Sequence, residues 1–386
     1  MRERSKAAAV TDVLAADFAP TRSPLERARH APPGIYSDPE IFALEKERIF
    51  MREWLFVARV EEVENPGDYL ALRVLGEPVV LARDQAGTLR AFANVCLHRG
   101  VEVACGKGNA RAFKCPYHGW AYGLDGALRG APLIDDNQCF SKEGRRLREI
   151  PLGDWSGNLF INFARDPVPF AEFIAPWQQE YGFLQPERCR LAAKIPVMLE
   201  CNWKFAVENL LDIYHVRVLH AKSFGAQFDA DRKNIRLSPG GVVSYYYRSA
   251  AAVPEGRSLF GRMPWIDERG DNFGLTFRMP PNTHMFARCD QIRYLTIWPV
   301  AVDRCEITCY HLFPKEHFAL PDFETRAQVY RDYQITVLEE DRSMMTSLQR
   351  AMTSRNYVPG PMAGIEATIH HVLGDYLDRM GIGGRT

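Results

Sequence analysis

The chain has 386 residues, long for a single core, so two domains are expected. Apolar residues make up 46% and charged residues 25%, an ordinary globular balance, and the 48 basic side chains equal the 48 acidic ones. That neutrality leaves no electrostatic footprint for nucleic acid or an anionic membrane surface, and no segment approaches the ~18 uncharged apolar residues of a membrane span.

Residues 1–35, rich in Ala, Arg and Pro, read as a flexible N-terminal arm. The apolar stretch before Thr11 and Asp12 is too brief for a secretory signal of ~7–15 apolar residues. Nine cysteines, an odd number scattered along the chain, fit unpaired thiols in a reducing cytoplasm better than a disulfide framework. Residues 36–53 follow as a short helix, with Asp38 as its cap and Pro39 at its first position.

Residues 54–165 then read as a small β domain. Tyr69–Leu75, Pro78–Arg83 and Leu89–Val95 are short β-prone runs, broken by turns at Gly76 and at Asp84–Gly87. Residues 166–386 are mixed. Strand-like runs recur at 241–247, 273–277, 283–287, 294–298 and 305–313, which predicts a largely antiparallel sheet. A helix is expected over 208–220, and a long one from about Asp322 to Arg350. The predicted class is α+β: an antiparallel β domain joined to a larger domain whose antiparallel sheet is flanked by helices.

Two short stretches carry the chemistry. Cys96-Leu-His98-Arg-Gly and Cys115-Pro-Tyr-His118-Gly-Trp, with sixteen residues between His98 and Cys115, supply two thiolates and two imidazoles. A Cys₂His₂ zinc site uses the same donors, but here each loop mixes both ligand types, unlike a zinc finger. The set suits a [2Fe–2S] centre in which two His replace two Cys on one iron. Gly100, Gly119 and Pro116 add the tight turns that let backbone amides approach the sulfides. The second stretch is Asp212-Ile-Tyr-His215-Val-Arg-Val-Leu-His220. Asp212 and His215 share a helical face, whereas His215 and His220, five apart, reach one metal only if the helix ends or bulges between them.

A two-His-one-carboxylate iron site also needs an acid. Tyr330, Tyr333, Val337, Met344, Leu348 and Met352 form an apolar stripe along the C-terminal helix, and Asp341 falls within it. A carboxylate on an apolar face is costly unless paired or metal-bound. An Asp paired with a core Arg is the bland alternative, and Glu340 is the rival ligand.

The two Cys/His loops match without a gap the cluster motif of the Rieske non-haem iron oxygenases, large (alpha) subunit, and the chain resembles that family over roughly residues 35–355. Asn202-Trp-Lys and Glu208-Asn209-Leu-Leu-Asp212 through His220 resemble its iron motif, and Glu340-Asp341 its late acidic pair. The resemblance implies that 54–165 is a Rieske domain with Cys96 and Cys115 on the inner iron and His98 and His118 on the outer one. It implies a catalytic domain at 166–386, with the 36–53 helix packed on it, in which His215, His220 and Asp341 hold Fe(II). Asp212 would bridge the two centres, and Asn209 would lie near the iron. It further implies a homotrimer, a small-molecule substrate and O₂, and electrons from a separate NAD(P)H-dependent reductase, with or without a ferredoxin, because the chain has no flavin or nicotinamide fingerprint of its own. An Asp at the bridge favours hydroxylation of an aromatic substrate, carboxylated or not. The alternative is mono-oxygenation or demethylation of a quaternary ammonium or methoxylated compound.

Overall fold

A computed structural model describes residues 17–134, 137–225, 228–229 and 232–382. The chain divides into two compact units, Arg52–Pro176 and the combination of Met1–Met51 with Trp177–Thr386.

The Arg52–Pro176 unit is built from eleven described strands. A five-stranded sheet runs β5-β2-β3-β4-β9, from Asp68–Val74 (β2), Glu77–Arg83 (β3), Leu89–Ala93 (β4), Lys107–Asn109 (β5) and Glu149–Ile150 (β9). Two three-stranded sheets accompany it: Leu55–Arg59 (β1) with Leu152–Trp155 (β10) and Asn158–Ile161 (β11), and Ala112–Lys114 (β6) with Ala121–Gly123 (β7) and Leu128–Gly130 (β8). Every pairing is antiparallel. Cys96 and Cys115 belong to the buried core formed with Val80, Phe92, Phe113, Trp120 and Tyr122, so burial of apolar area fixes the two thiols in place.

The second unit rests on a seven-stranded antiparallel sheet of order β12-β18-β17-β16-β15-β14-β13. Its strands are Cys189–Leu199 (β12), Ile235–Ser238 (β13), Val242–Arg248 (β14), Phe273–Met279 (β15), Thr283–Arg288 (β16), Ile292–Ala301 (β17) and Arg304–Pro314 (β18). β15 is buried at every position, as expected for a central strand covered on both faces. β12 is an edge strand, which accommodates Pro196 without costing the ladder a central hydrogen bond. Besides the short helices Ala19–Arg22 and Gly34–Ser37, its helices are Pro39–Glu45 (α1), Phe170–Tyr181 (α2, within which the division at Pro176 falls), Trp203–Leu211 (α3), Val216–Leu219 (α4), Phe323–Ala351 (α5) and Ala367–Met380 (α6).

The expected arm at 1–35 is corrected over its described part, while residues 1–16 lie outside the described residues. Phe18, Ala28, Ala31 and Ile35 are each 2% exposed or less. The backbone pairs His30 N–H with Gly360 O at 3.0 Å and Met362 N–H with Ala28 O at 3.0 Å, and Arg22 meets Asp378 at 2.9 Å. Enough apolar surface and backbone pairing is present to hold this segment on its unit, despite its Ala/Pro-rich composition. Asp38 caps α1, its Oδ1 accepting from Glu40 N–H at 2.7 Å. Glu45 at the far end is fully buried and receives Trp203 Nε1–H and Tyr376 O–H, each at 2.7 Å, together with the Lys204 ammonium. That charge-assisted knot ties α1, α3 and α6 together.

Two expectations about helices change. A continuous helix over 208–220 does not form. α3 ends at Leu211, and Asp212 leaves helical geometry at φ −74°, ψ 110°. Its Oδ1 accepts Tyr214 N–H at 2.7 Å, an Asx-type turn that competes with the helix, before the single turn α4 resumes. In α5 the buried stripe is Tyr330, Gln334, Leu338, Asp341, Met345 and Gln349, and the predicted Met344 and Leu348 are 47% and 45% exposed. Asp341 nevertheless lies on the buried face. The polar Gln334 and Gln349 hold the stripe's true phase because partners await them: Gln349 Nε2 donates to Tyr36 O at 3.0 Å, and Gln334 accepts from Arg293.

Candidate active site and cluster site

The two Cys/His loops adopt one hydrogen-bonding pattern. Cys96 N–H donates to Val101 O at 2.8 Å and receives Gly100 N–H at its carbonyl at 2.9 Å. Cys115 N–H likewise donates to Trp120 O at 2.7 Å and receives Gly119 N–H at 3.0 Å. Gly100 and Gly119 sit at φ 82° and 73°, left-handed geometry that glycine enters without penalty. Both thiols are 3% exposed, whereas His98 and His118 face solvent. The imidazoles converge, with their Nδ1 atoms 3.1 Å apart, and His98 stacks on Trp120 at 5.0 Å and 7°. Two nitrogens each ~2.1 Å from one metal lie about 3.0–3.4 Å apart, so this spacing fits ligation of a single iron. Tyr122 Oη lies 3.2 Å from Cys96 Sγ and accepts Leu97 N–H at 2.9 Å, buried beside the inner thiol.

In the other unit, the break at Asp212 swings His215 and His220 together. Their Nε2 atoms are 3.2 Å apart, and Asp341 Oδ1 lies 3.5 Å from the first and 3.1 Å from the second. These three donors form a triangle of about the edge expected for cis ligands of one metal. Each histidine turns its other nitrogen to a carboxylate: His215 Nδ1 to Asp212 Oδ2 at 3.1 Å, and His220 Nδ1 to Glu340 Oε2 at 2.6 Å. Such outer carboxylates fix the tautomer that leaves Nε2 free for metal. Ser223 Oγ–H steadies Glu340 at 2.8 Å, and Asn209 Nδ2–H donates to Asp341 Oδ1 at 3.2 Å. Glu340, the rival ligand on sequence grounds, therefore points at the back of His220, while Asp341 points into the triangle.

The electrostatics agree. Burial opposes a proton on His215, but its bonds to Asp212 and Asp341 outweigh that and push its pKa up to about 9. Burial likewise raises the Asp341 carboxyl, yet the two histidines hold it below the usual carboxylate range. The donor set is built to concentrate positive charge, which a divalent cation supplies by displacing those protons.

A cavity of about 760 Å³, counted to its open mouth, adjoins the triangle. Phe224 stacks on His220 at 4.7 Å, and Phe228, Tyr245, Tyr247 and Phe286 continue the wall, with Val337 and Leu338 also lining the cavity. Tyr245 and Tyr247 are buried, and the face they present is the cavity's. Arg288 and Arg293 also line it and were missed by sequence reasoning, although a cation on the buried face of a strand is the kind of signal that could have exposed them.

The fold and both donor sets define a chain that pairs an iron–sulfur domain with a mononuclear metal domain. Residues 53–141 match the Rieske [2Fe–2S] domain model, and residues 186–382 match the ring hydroxylating alpha subunit (catalytic domain). The chain belongs to this family: it is a Rieske non-haem iron oxygenase alpha subunit, and its cofactors are a [2Fe–2S] cluster and a mononuclear non-haem iron. It is 34% identical to the carnitine monooxygenase oxygenase subunit of Escherichia coli (strain K12) over 334 residues, 84% of this chain and 85% of the relative. To the glycine betaine monooxygenase oxygenase subunit of Chromohalobacter salexigens it is 30% identical over 240 residues; the match takes in 62% of this chain and about half, 52%, of that protein. The quaternary ammonium Rieske monooxygenase CntA superimposes with a TM-score of 0.76 at 23% identity, over 93% of this chain and 98% of the other, a likeness of fold. Among the described residues no helix is long and apolar enough to cross a membrane.

Proposed function

We propose that this chain is the oxygenase component of a Rieske monooxygenase that oxidises a quaternary ammonium compound with O₂. The carrying observation is the aromatic wall, Phe224, Phe228, Tyr245 and Tyr247, beside the His215–His220–Asp341 triangle, because aromatic faces attract a cation that carries no hydrogen-bond donor. The names of its relatives support the same substrate class, so the alternative weighed from sequence takes precedence over an aromatic substrate.

In this reading Cys96, His98, Cys115 and His118 hold the cluster, and His215, His220 and Asp341 hold Fe(II). An iron held by these three residues would supply reductive activation of O₂ beside the cavity. Asp212 and Glu340 fix the two imidazole tautomers, Asn209 steers the Asp341 carboxylate, and the apolar wall keeps bulk water from the substrate. Asp212 keeps 22% of its side chain exposed, and we assign it as the bridge to the cluster of a neighbouring copy in a homotrimer, a ring closed by three-fold rotation. Electrons come from a separate NAD(P)H-dependent reductase, with or without a ferredoxin. The nine cysteines form no disulfide among the described residues, which is compatible with a reducing cytoplasm.

The test is O₂ uptake by the holoprotein with a Rieske-oxygenase reductase and NADH, against quaternary ammonium compounds and aromatic acids. Uptake matched by oxidation of a quaternary ammonium compound is expected. Turnover of aromatic acids alone contradicts the assignment.

A further inference from the structure

The cavity is electrically two-ended. At one end stand the carboxylates of Asp212 and Asp341 with the two histidines. From there a file of rings leads away: His220 to Phe224 at 4.7 Å, Phe224 to Phe228 at 6.1 Å, Phe228 to Tyr247 at 5.0 Å. It ends at Arg288, whose guanidinium carbon lies 4.6 Å from the Tyr247 ring centre.

Arg288 is 5% exposed, yet its Nε and Nη1 have no hydrogen-bond partner and it makes no ion pair among the described residues. Arg293, 7% exposed, donates to Gln334 through Nη1 and leaves its Nε without a partner. A buried guanidinium is costly unless an anion meets it; the buried Asp290 carboxylate acts on both arginines but pairs with neither and is hydrogen-bonded by Tyr330, so the unpartnered N–H groups mark a place where a further anion arrives from outside the fold. The sheet register builds the place. Tyr247, Gly274 and Arg288 lie opposite one another on three adjacent strands, and Phe286 lies opposite Arg293. A Cβ on Gly274 would come within 2.5 Å of the Tyr247 ring and 2.8 Å of Arg288 Nη1, so the absent side chain is what admits both groups.

We infer that Arg288, backed by Arg293, binds a carboxylate of the substrate at the cavity end remote from the His215–His220–Asp341 triangle. Resting on the quaternary ammonium reading above, this makes the substrate a zwitterion. Its anionic end sits at Arg288, and its cationic end lies along the aromatic file toward the iron. Carboxylate and guanidinium match in geometry and charge. The same arginines repel a substrate that is only a cation, so choline-like alcohols are poor ligands.

The experiment measures Kd by anaerobic calorimetry on the holoprotein, for glycine betaine, L-carnitine and γ-butyrobetaine, their methyl esters, choline and benzoate. Esterification removes the negative charge at nearly constant shape and needs no variant. The preferred acid is expected to bind at least ~30-fold more tightly than its ester, the scale of a buried charge pair. Arg288→Gln erases that preference by weakening the acid while the ester binds as well as before or better, and Arg288→Lys restores part of it. If no acid in the panel binds better than its ester, or if Arg288→Gln weakens acid and ester alike, the inference is overturned. Equal binding of choline and the acids also overturns it while leaving the quaternary ammonium reading intact. Arg288-dependent binding of benzoate, with no quaternary ammonium compound bound, upholds the carboxylate site and defeats that reading.

Discussion

The adjacent acids Glu340 and Asp341 offer the sharpest test of the iron site, because one side chain is assigned to the metal and the other to the back of a ligand. Glu340→Ala leaves His220, 2% exposed at its side chain, without its 2.6 Å partner at Nδ1. The imidazole then loses its fixed tautomer and part of its basicity. Loss of such a supporting carboxylate typically costs 10–100-fold in metal affinity, or about 1.4–2.7 kcal/mol. Glu340→Gln, which keeps an acceptor, should fall nearer the lower figure. Asp341→Asn removes the one anionic corner of the triangle and should lower affinity well beyond 100-fold. The assay is Fe(II) titration of protein stripped of mononuclear iron but retaining its cluster, read by equilibrium dialysis and iron analysis. If Glu340→Ala abolishes binding while Asp341→Asn keeps the parent affinity, the two roles are exchanged and the argument from geometry fails.

Asp212→Ala should keep the cluster and weaken iron binding no more than Glu340→Ala does, yet lose most substrate-coupled turnover even when iron is supplied to saturation; near-normal product yield would refute the bridge. Tyr122→Phe removes a hydroxyl 3.2 Å from Cys96 Sγ, and one hydrogen bond of about 0.5–1.5 kcal/mol corresponds to roughly 20–60 mV for one electron. The cluster potential should fall by that much in protein-film voltammetry, and an unchanged or raised potential would rule the bond out. Glu208 is pushed up to about 7 by burial, with the Tyr36 hydrogen bond at 2.7 Å opposing. Its raised pKa means the folded state holds a proton that the unfolded chain releases. Its contribution is therefore full below about pH 4.5 and is lost as pH rises to about 7. Glu208→Gln should flatten this part of the Tm–pH curve, and an identical slope in both proteins would exclude Glu208 as its source.

The cluster loops were legible in the sequence because each is local: Cys, His and Gly stand within five residues, and a short backbone pattern closes around them. The iron ligands were legible only in part. The reason His215 and His220 can meet lies in Asp212 turning back on Tyr214 N–H, a choice between capping and helix that periodicity does not register. Asp341 was found through a stripe whose phase was wrong. Gln334 and Gln349 are buried only because Arg293 and the Tyr36 carbonyl await them from far along the chain, and an apolar stripe counts neither. For the same reason the N-terminal segment looked free until Ala28 and His30 were seen paired with residues near 360. Arg288 was hidden by topology, since its meaning depends on Gly274 and Tyr247 lying opposite it on neighbouring strands.

Metal and sulfide analysis of anaerobically prepared protein tests the central claim most directly, namely that one chain carries two unlike iron centres. The expected result is ~3 irons and ~2 acid-labile sulfides per chain, with His215→Ala losing a single iron and keeping the cluster spectrum. Zinc in place of iron, or the same iron content in parent and His215→Ala protein, would contradict it.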